Sequence, residues 1–155
     1  MKDNRGMTLV EVVVAMALIS VVLLSIYSFM ASGVKGFARE ATTANNHAQV
    51  RRVSNNIGRE VRRADSVAKD SDKLIIKYAD QKKSEYRLEG NIIKVDYYNE
   101  DAGGNWVLDY TGDLASGIKT FNIDIVGEEI ALEIESVENA RGKTYRLETR
   151  LTIRR

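Results

Sequence analysis

The stretch RGMTLVEVVVAMALISVVLLSIYSFMA, residues 5–31, decides the architecture. From Val12 to Val34 no side chain carries a charge. Glu11 nevertheless sits just inside the apolar run, and no basic residue lies within one helical turn of it. Val12 to Ala31 is apolar or small almost throughout. As a helix rising about 1.5 Å per residue it spans roughly 30 Å, the thickness of a bilayer core. A secretory signal peptide has a shorter apolar region, about 7–15 residues, that ends at a small-residue cleavage site. Here the run is longer and the helical pattern continues past it, so a membrane span is expected. Lys2 and Arg5 precede it, which places the N-terminus in the cytoplasm and exports the rest; Lys35 and Arg39 on the far side make that bias modest.

Two further features of the span bear on association. Ala15, Ala17, Ser20, Ser25, Ser28, Ala31 and Ser32 are small, and small residues let helices approach closely in lipid. An ionised carboxylate costs on the order of 3 kcal/mol at the bilayer centre and less near a helix end. Glu11 therefore has two physical readings. It is an interfacial group favoured by the helix dipole, or it is half of a pair whose cation lies on another chain.

The residues RGMTLVE (5–11) resemble the class III signal of type IV pilins and pseudopilins. That signal is a short basic leader ending in Gly, then an apolar residue, Thr-Leu, and Glu at the fifth mature position. The leader here is MKDNRG, and Glu11 is fifth counting from Met7. The resemblance implies that prepilin peptidase cuts between Gly6 and Met7 and methylates the new amine of Met7. It also implies that Glu11 meets the N-terminal amine of a neighbouring subunit during assembly, an ion pair with strong geometric preference in low dielectric. Two departures stand out: Met7 occupies a position most often Phe, and the chain lacks the proline that many major pilins carry in this helix. The second points to a minor pilin or pseudopilin. Within the family, NIGREVRRADSV, GIKTFNIDI and the final RLTIRR loosely resemble the pseudopilin J-like group.

Composition narrows the alternatives. The 155 residues suffice for one domain plus one span, and the net charge of +1 lacks the footprint of a dedicated nucleic-acid binder. No cysteine is present, which excludes disulfides, thiolate metal sites and cysteine nucleophiles. The lone histidine, His47, cannot build a zinc site and reads as a solvated surface residue. No catalytic residue, metal ligand or cofactor site is expected, and an enzyme is the last choice.

Beyond Gly33 and Gly36, the expected place for a bend or local melting, the helical rhythm continues. Val34, Phe37, Ala41, Ala44 and Ala48 form one set; Val50, Val53, Ile57, Val61 and Ala64 form a second after a slip of the stripe. An unbroken helix from about Thr8 to Ala64 would be near 85 Å long, its second half offering an apolar stripe to a sheet. RRVSNNIGREVRRAD (51–65) carries five arginines, read as a solvated face circling the helix in preference to a DNA or anionic-lipid contact.

After Asp65 the period changes to 2. KLIIKYA, EYRLEGNIIKVDYY with a turn at Glu89-Gly90-Asn91, NWVLDY, KTFNIDIV, EIALEIESV and TYRLETRLTIRR read as half-buried antiparallel strands. Glu133 and Glu135 are expected opposite Arg146 and Arg150. The fold class is α+β: a long N-terminal helix, half membrane and half amphipathic, packed on an antiparallel sheet, which is the pilin layout. The organisation expected is leader 1–6, transmembrane and assembly helix 7–34, amphipathic continuation 35–66 and sheet domain 67–155.

NEDAGGNW (99–106) reads as a plain loop; it lacks the spacing of a calcium-binding EF-hand. Tyr97, Tyr98, Trp106 and Tyr110 flank it and read as cross-strand packing. A filament-borne binding module for DNA, secreted substrate or surfaces, acting through this 97–110 region, is the alternative function. The resemblance implies these partners: prepilin peptidase, other major and minor pilins or pseudopilins, the inner (cytoplasmic) membrane and an assembly platform protein. Nucleic acid stays open. The protein would begin as a single-pass membrane protein with an exported C-terminal domain and end in an extracellular or periplasmic filament of a pilus, type II secretion or competence system.

Overall fold

A computed structural model describes residues 8–153. The element order is α1 (Leu9–Arg63), β1 (Ser66–Asp70), β2 (Lys73–Tyr78), β3 (Lys82–Glu89), β4 (Ile92–Glu100), β5 (Trp106–Ser116), β6 (Ile118–Val126), β7 (Glu129–Ser136) and β8 (Arg146–Thr152). The fold is α+β, one long N-terminal helix followed by antiparallel sheets. The chain divides into two compact units, Met1–Glu40 and Ala41–Arg155.

In the first unit α1 is helical through Gly33 and Gly36, so the melting expected there does not occur. A Cβ at either glycine would meet nothing within 4 Å, so helix propensity alone disfavours them. The most apolar 18-residue window has a mean hydropathy of 2.8 and none of it is buried. The helix is long and apolar enough to cross a membrane.

The second unit holds the core. Val50, Val53, Ile57 and Val61 of α1, with Ala64 just past its end, pack with Leu74, Ile76, Tyr86, Ile93 and Val95 of one sheet and Ile123, Ile130, Leu132 and Ile134 of the other. Spacings of 3 and 4 keep one helical face dry. The earlier alanine set takes a different course: Ala41, Ala44 and Ala48 are exposed, while Asn46 is buried. The slip in the stripe is a change of face, and only the second set meets the sheet. The arginines also depart from expectation. Arg51, Arg52, Arg59, Arg62 and Arg63 are all exposed. At 100° per residue they fall within an arc of about 120° on the side away from the core, so they do not circle the helix.

The strands form two sheets, where one was expected. Strand order is β1-β2-β3-β4-β5 in the first and β6-β7-β8 in the second, with every pairing antiparallel. Glu89 pairs with Ile92, which leaves Gly90-Asn91 as a two-residue turn. Gly90 has φ 61°, the left-handed value that such a turn needs at its first position. At Gly117, φ 71°, the chain leaves the first sheet for the second. The Val137 amide donates to the Gly117 carbonyl (2.8 Å), and Asn46 Nδ2 donates to the Val137 carbonyl (2.9 Å). A buried helix side chain thus ties the joint between sheets to the loop after β7.

The alternation expected for β6, β7 and β8 holds, but the ion pairs shift. Arg146 lies opposite Glu135 in register, and its guanidinium reaches diagonally to Glu133 (2.9 Å) and along its own strand to Glu148 (2.8 Å). Arg150 approaches Glu129 at 3.9 Å. These pairs are solvent-exposed and each contributes little.

Candidate functional site

The helix N-terminus is built by four residues, TLVE. Thr8 precedes the first helical residue. The Glu11 backbone N–H donates to Thr8 Oγ1 (3.3 Å), and Thr8 N–H donates to Glu11 Oε2 (3.0 Å). The Thr8 hydroxyl also donates to Glu11 Oε2 (3.2 Å). This is a reciprocal capping box, in which Thr at the cap and Glu three residues later satisfy amide donors that a helix start leaves open. Glu11 therefore has local partners as well as the helix dipole. The sequence signal for it, Thr-x-x-Glu ahead of an apolar run, stands at residues 8–11. The composition of the span hid it behind the question of charge. Gly6 and Met7, the expected cleavage and methylation positions, lie outside the described residues.

Along the apolar segment the polar groups fold back on the backbone. Ser20 Oγ donates to the Met16 carbonyl (2.8 Å) and Ser25 Oγ to the Val21 carbonyl (2.9 Å). Such i−4 bonds hide hydroxyls that lipid cannot solvate. The large side chains face outward instead, with Leu9 83% and Phe29 81% exposed. A continuous apolar surface of this extent marks contact with lipid or with other helices.

The aromatic residues of the 97–110 region do not form one platform. Tyr97 and Tyr110 are direct cross-strand partners and stack with centroids 4.5 Å apart. Burial beside the Tyr110 ring pushes the Tyr97 phenol up to about 12. Tyr98 and Trp106 instead lie under the Lys83 ammonium, at 4.3 and 5.1 Å from the ring centroids. Within the loop, Asp101 Oδ1 accepts from the amides of Gly103 and Asn105, both at 2.8 Å. Those amides hold its carboxyl below the usual range. The loop is closed by its own aspartate. Among the described residues no group of three or more His, Asp or Glu is placed to hold a metal ion.

His47 differs from its sequence reading. It is half-buried, and its ring stacks on Tyr145 with centroids 3.9 Å apart. Nearby, Asn139 Nδ2 donates to Thr43 Oγ1 (3.0 Å), so with Asn46–Val137 and His47–Tyr145 the 137–145 segment is fastened to α1 at three points. No periodicity in sequence links residue 47 with residue 145.

These features define a class: a capped apolar helix long enough to span a bilayer, followed in sequence by an α+β domain. Residues 1–27 match the family model described as the prokaryotic N-terminal methylation motif. The chain carries the class III signal of type IV pilins and pseudopilins, and that motif marks subunits processed by prepilin peptidase. The motif and the apolar helix fit a protein anchored in the inner membrane by a single span. No curated protein and no solved structure matched the chain.

Proposed function

We propose that the protein is a minor pilin or pseudopilin. It is inserted as a precursor, cut between Gly6 and Met7, methylated on Met7 and built into a filament of the type IV pilus or type II secretion kind, or into its initiating tip. The leader is 1–6, the assembly helix 7–34, its amphipathic continuation 35–66 and the sheet domain 67–155. The observation that carries this reading is Glu11: a carboxylate fifth from the cleavage position, held at the head of a helix whose apolar surface is uncovered. Cleavage creates a cation at Met7, and on a neighbouring subunit that amine supplies the charge Glu11 lacks. Other pilins or pseudopilins, prepilin peptidase and the assembly platform are the partners. The likeness of NIGREVRRADSV, GIKTFNIDI and RLTIRR to the pseudopilin J-like group supports a place among minor pseudopilins.

The intact mass of the protein taken from its own membranes tests processing. A chain starting at Met7 with one added methyl is expected; a chain starting at Met1 in cells with active prepilin peptidase overturns the reading. Assembly is tested by Glu11→Gln, which is expected to leave insertion and cleavage intact and to cut filament incorporation at least about tenfold, the loss of one buried charged partner. Incorporation equal to wild type removes Glu11 from assembly.

A further inference from the structure

Helix α1 stops before the sheet beneath it does. On the core-facing side of the five-stranded sheet, Ile76, Ser84, Tyr97 and Tyr110 stand opposite one another in one row, and Tyr78, Lys82, Asn99 and Val107 in the next. Ile76 and Ser84 are fully buried. In the second row Lys82 and Asn99 are exposed and Val107 is 54% exposed. The last turn of α1 closes one side of this shelf with Glu60 and Arg63, and the Tyr78 hydroxyl donates to Glu60 Oε2 (2.9 Å). The result is a cleft of about 500 Å³, within the size range of small-molecule sites.

On the far wall β5 bulges. Tyr97 pairs with Tyr110 and Tyr98 with Leu108, so Asp109 has no partner on β4. A bulge re-aims a side chain, and Asp109 lines the cleft beside Tyr110. Tyr110 lies on the Tyr97 ring at an interplanar angle of 18° and is still 54% exposed. Several charges of the lining are already paired: Lys82 with Asp80 (2.7 Å) and Lys83 with Glu85 (2.9 Å). Arg63, Asn99 and Asp109 make no side-chain hydrogen bond or ion pair among the described residues. One cation, one amide and one carboxylate thus surround an exposed ring, and their charges cancel.

We propose that this cleft binds a neutral saccharide, with a sugar ring laid on Tyr110 and its hydroxyls held by Arg63, Asn99 and Asp109. The lining selects that class. A polyanion would meet Glu60, Asp80 and Asp109 as well as Arg63, and like charges across an interface are disfavoured. An apolar ligand would cover the three polar groups without bonding them, which is costly. A guanidinium only donates, a carboxylate only accepts and an amide does both; sugar hydroxyls, which donate and accept, satisfy all three. The C–H face of a sugar ring is apolar and flat enough to lie on tyrosine, whose ring is an apolar body with a polar tip. Cross-strand packing accounts for the Tyr97–Tyr110 stack, but leaves the bulge and the three unpaired groups unexplained. The proposal does not depend on processing or on filament assembly.

The test passes the full chain, in a detergent without a sugar headgroup, over immobilised neutral oligomers of glucose, mannose, galactose and N-acetylglucosamine, beside single-stranded DNA. Retention on at least one neutral oligomer is expected. Tyr110→Ala should weaken it about tenfold, while Tyr110→Phe, which keeps the ring, and Leu108→Ala, outside the cleft, should change it less than about threefold. Because the ligand is uncharged, retention should be the same in about 0.1 M and 1 M salt. The retained oligomer, added free, should show upfield shifts of its ring protons from the current of the tyrosine ring; these decide the case even where Tyr110→Ala fails to fold. Retention on none of the neutral oligomers overturns the proposal. So does retention without upfield shifts, or retention that survives Tyr110→Ala, either of which puts the contact elsewhere. Retention on DNA alone, lost in high salt and in Arg63→Ala, overturns it in favour of a polyanion site.

Discussion

In the first half of α1 the large apolar side chains point outward, Leu9 and Phe29 more than 80% exposed; in the second half Val50, Val53 and Ile57 are fully buried. The backbone is the same α-helix throughout. The polar groups reverse as well: Ser20 and Ser25 bond back to their own helix, whereas Asn46 reaches across to Val137. Residues 9–40 carry the features of a segment whose solvent is lipid and other helices, and residues 41–153 those of a domain in water. A helix has no rule of its own for which face is apolar; the medium around each part sets it.

The most severe challenge to this contrast is one truncation in each half. Ile57→Ala removes a fully buried side chain between α1 and the sheets and should cost the 41–153 domain about 2–5 kcal/mol. Leu23→Ala, 60% exposed in the apolar segment, should leave unfolding of that domain unchanged. Denaturant unfolding of the full chain in detergent, followed by Trp106 fluorescence, reads both. Equal losses would mean that the two halves share one core. Next in size is Asn46→Ala. It strips the Val137 carbonyl of its side-chain donor at a buried position and should cost about 1–3 kcal/mol. The loss should appear as faster hydrogen exchange at Val137, whose own amide bonds Gly117.

A subtler contrast is electrostatic. Glu85 is buried on the sheet; burial raises its pKa, but Lys83 at 2.9 Å and Lys73 at 3.5 Å outweigh that and hold it below the usual carboxylate value. Its folded pKa is depressed, so its contribution is present above the unfolded value, about 4.3. It is lost as pH falls through the lower folded value. Stability of the 41–153 domain should fall on acidification across that window, and Glu85→Gln should flatten the fall while lowering stability at pH 7. An unchanged slope in the variant would place the acid sensitivity elsewhere.

Elements with a strong period were legible in the sequence and elements defined by tertiary neighbours were not. The span, the buried stripe Val50-Val53-Ile57-Val61 and the alternation in β6, β7 and β8 follow from chemistry local to each segment. β1, SVAKD, escaped because only Val67 in it is even half-buried, so no alternation marks it. β5 reads as irregular for a related reason. It is an edge strand with two register shifts against β4, and most of its residues face solvent. The sidedness of the arginines was present in their numbering, but its significance appears only when the core face is known. The cap at the helix head was half legible. Thr-x-x-Glu stands in the sequence at residues 8–11, while the reciprocal Thr8–Glu11 bonds needed geometry to separate a cap from a bare charge.

That cap yields the smallest predicted effect and the finest distinction. Thr8→Ala removes the hydroxyl that caps the Glu11 amide and should loosen the first turn of α1 by about 1 kcal/mol. Faster hydrogen exchange at the amides of residues 9–11 would report it. Glu11→Gln is its converse. A glutamine at that position can still reach back to the Thr8 amide, as Glu or Gln does in a capping box, but it carries no charge. If the site works through helix capping, Thr8→Ala should impair assembly and Glu11→Gln should spare it. If it works through a charge pair between subunits, the order reverses: Thr8→Ala frays the turn yet assembles, while Glu11→Gln keeps the turn and fails. The two variants separate local order from intersubunit charge at one carboxylate, and the charge reading requires the second pattern.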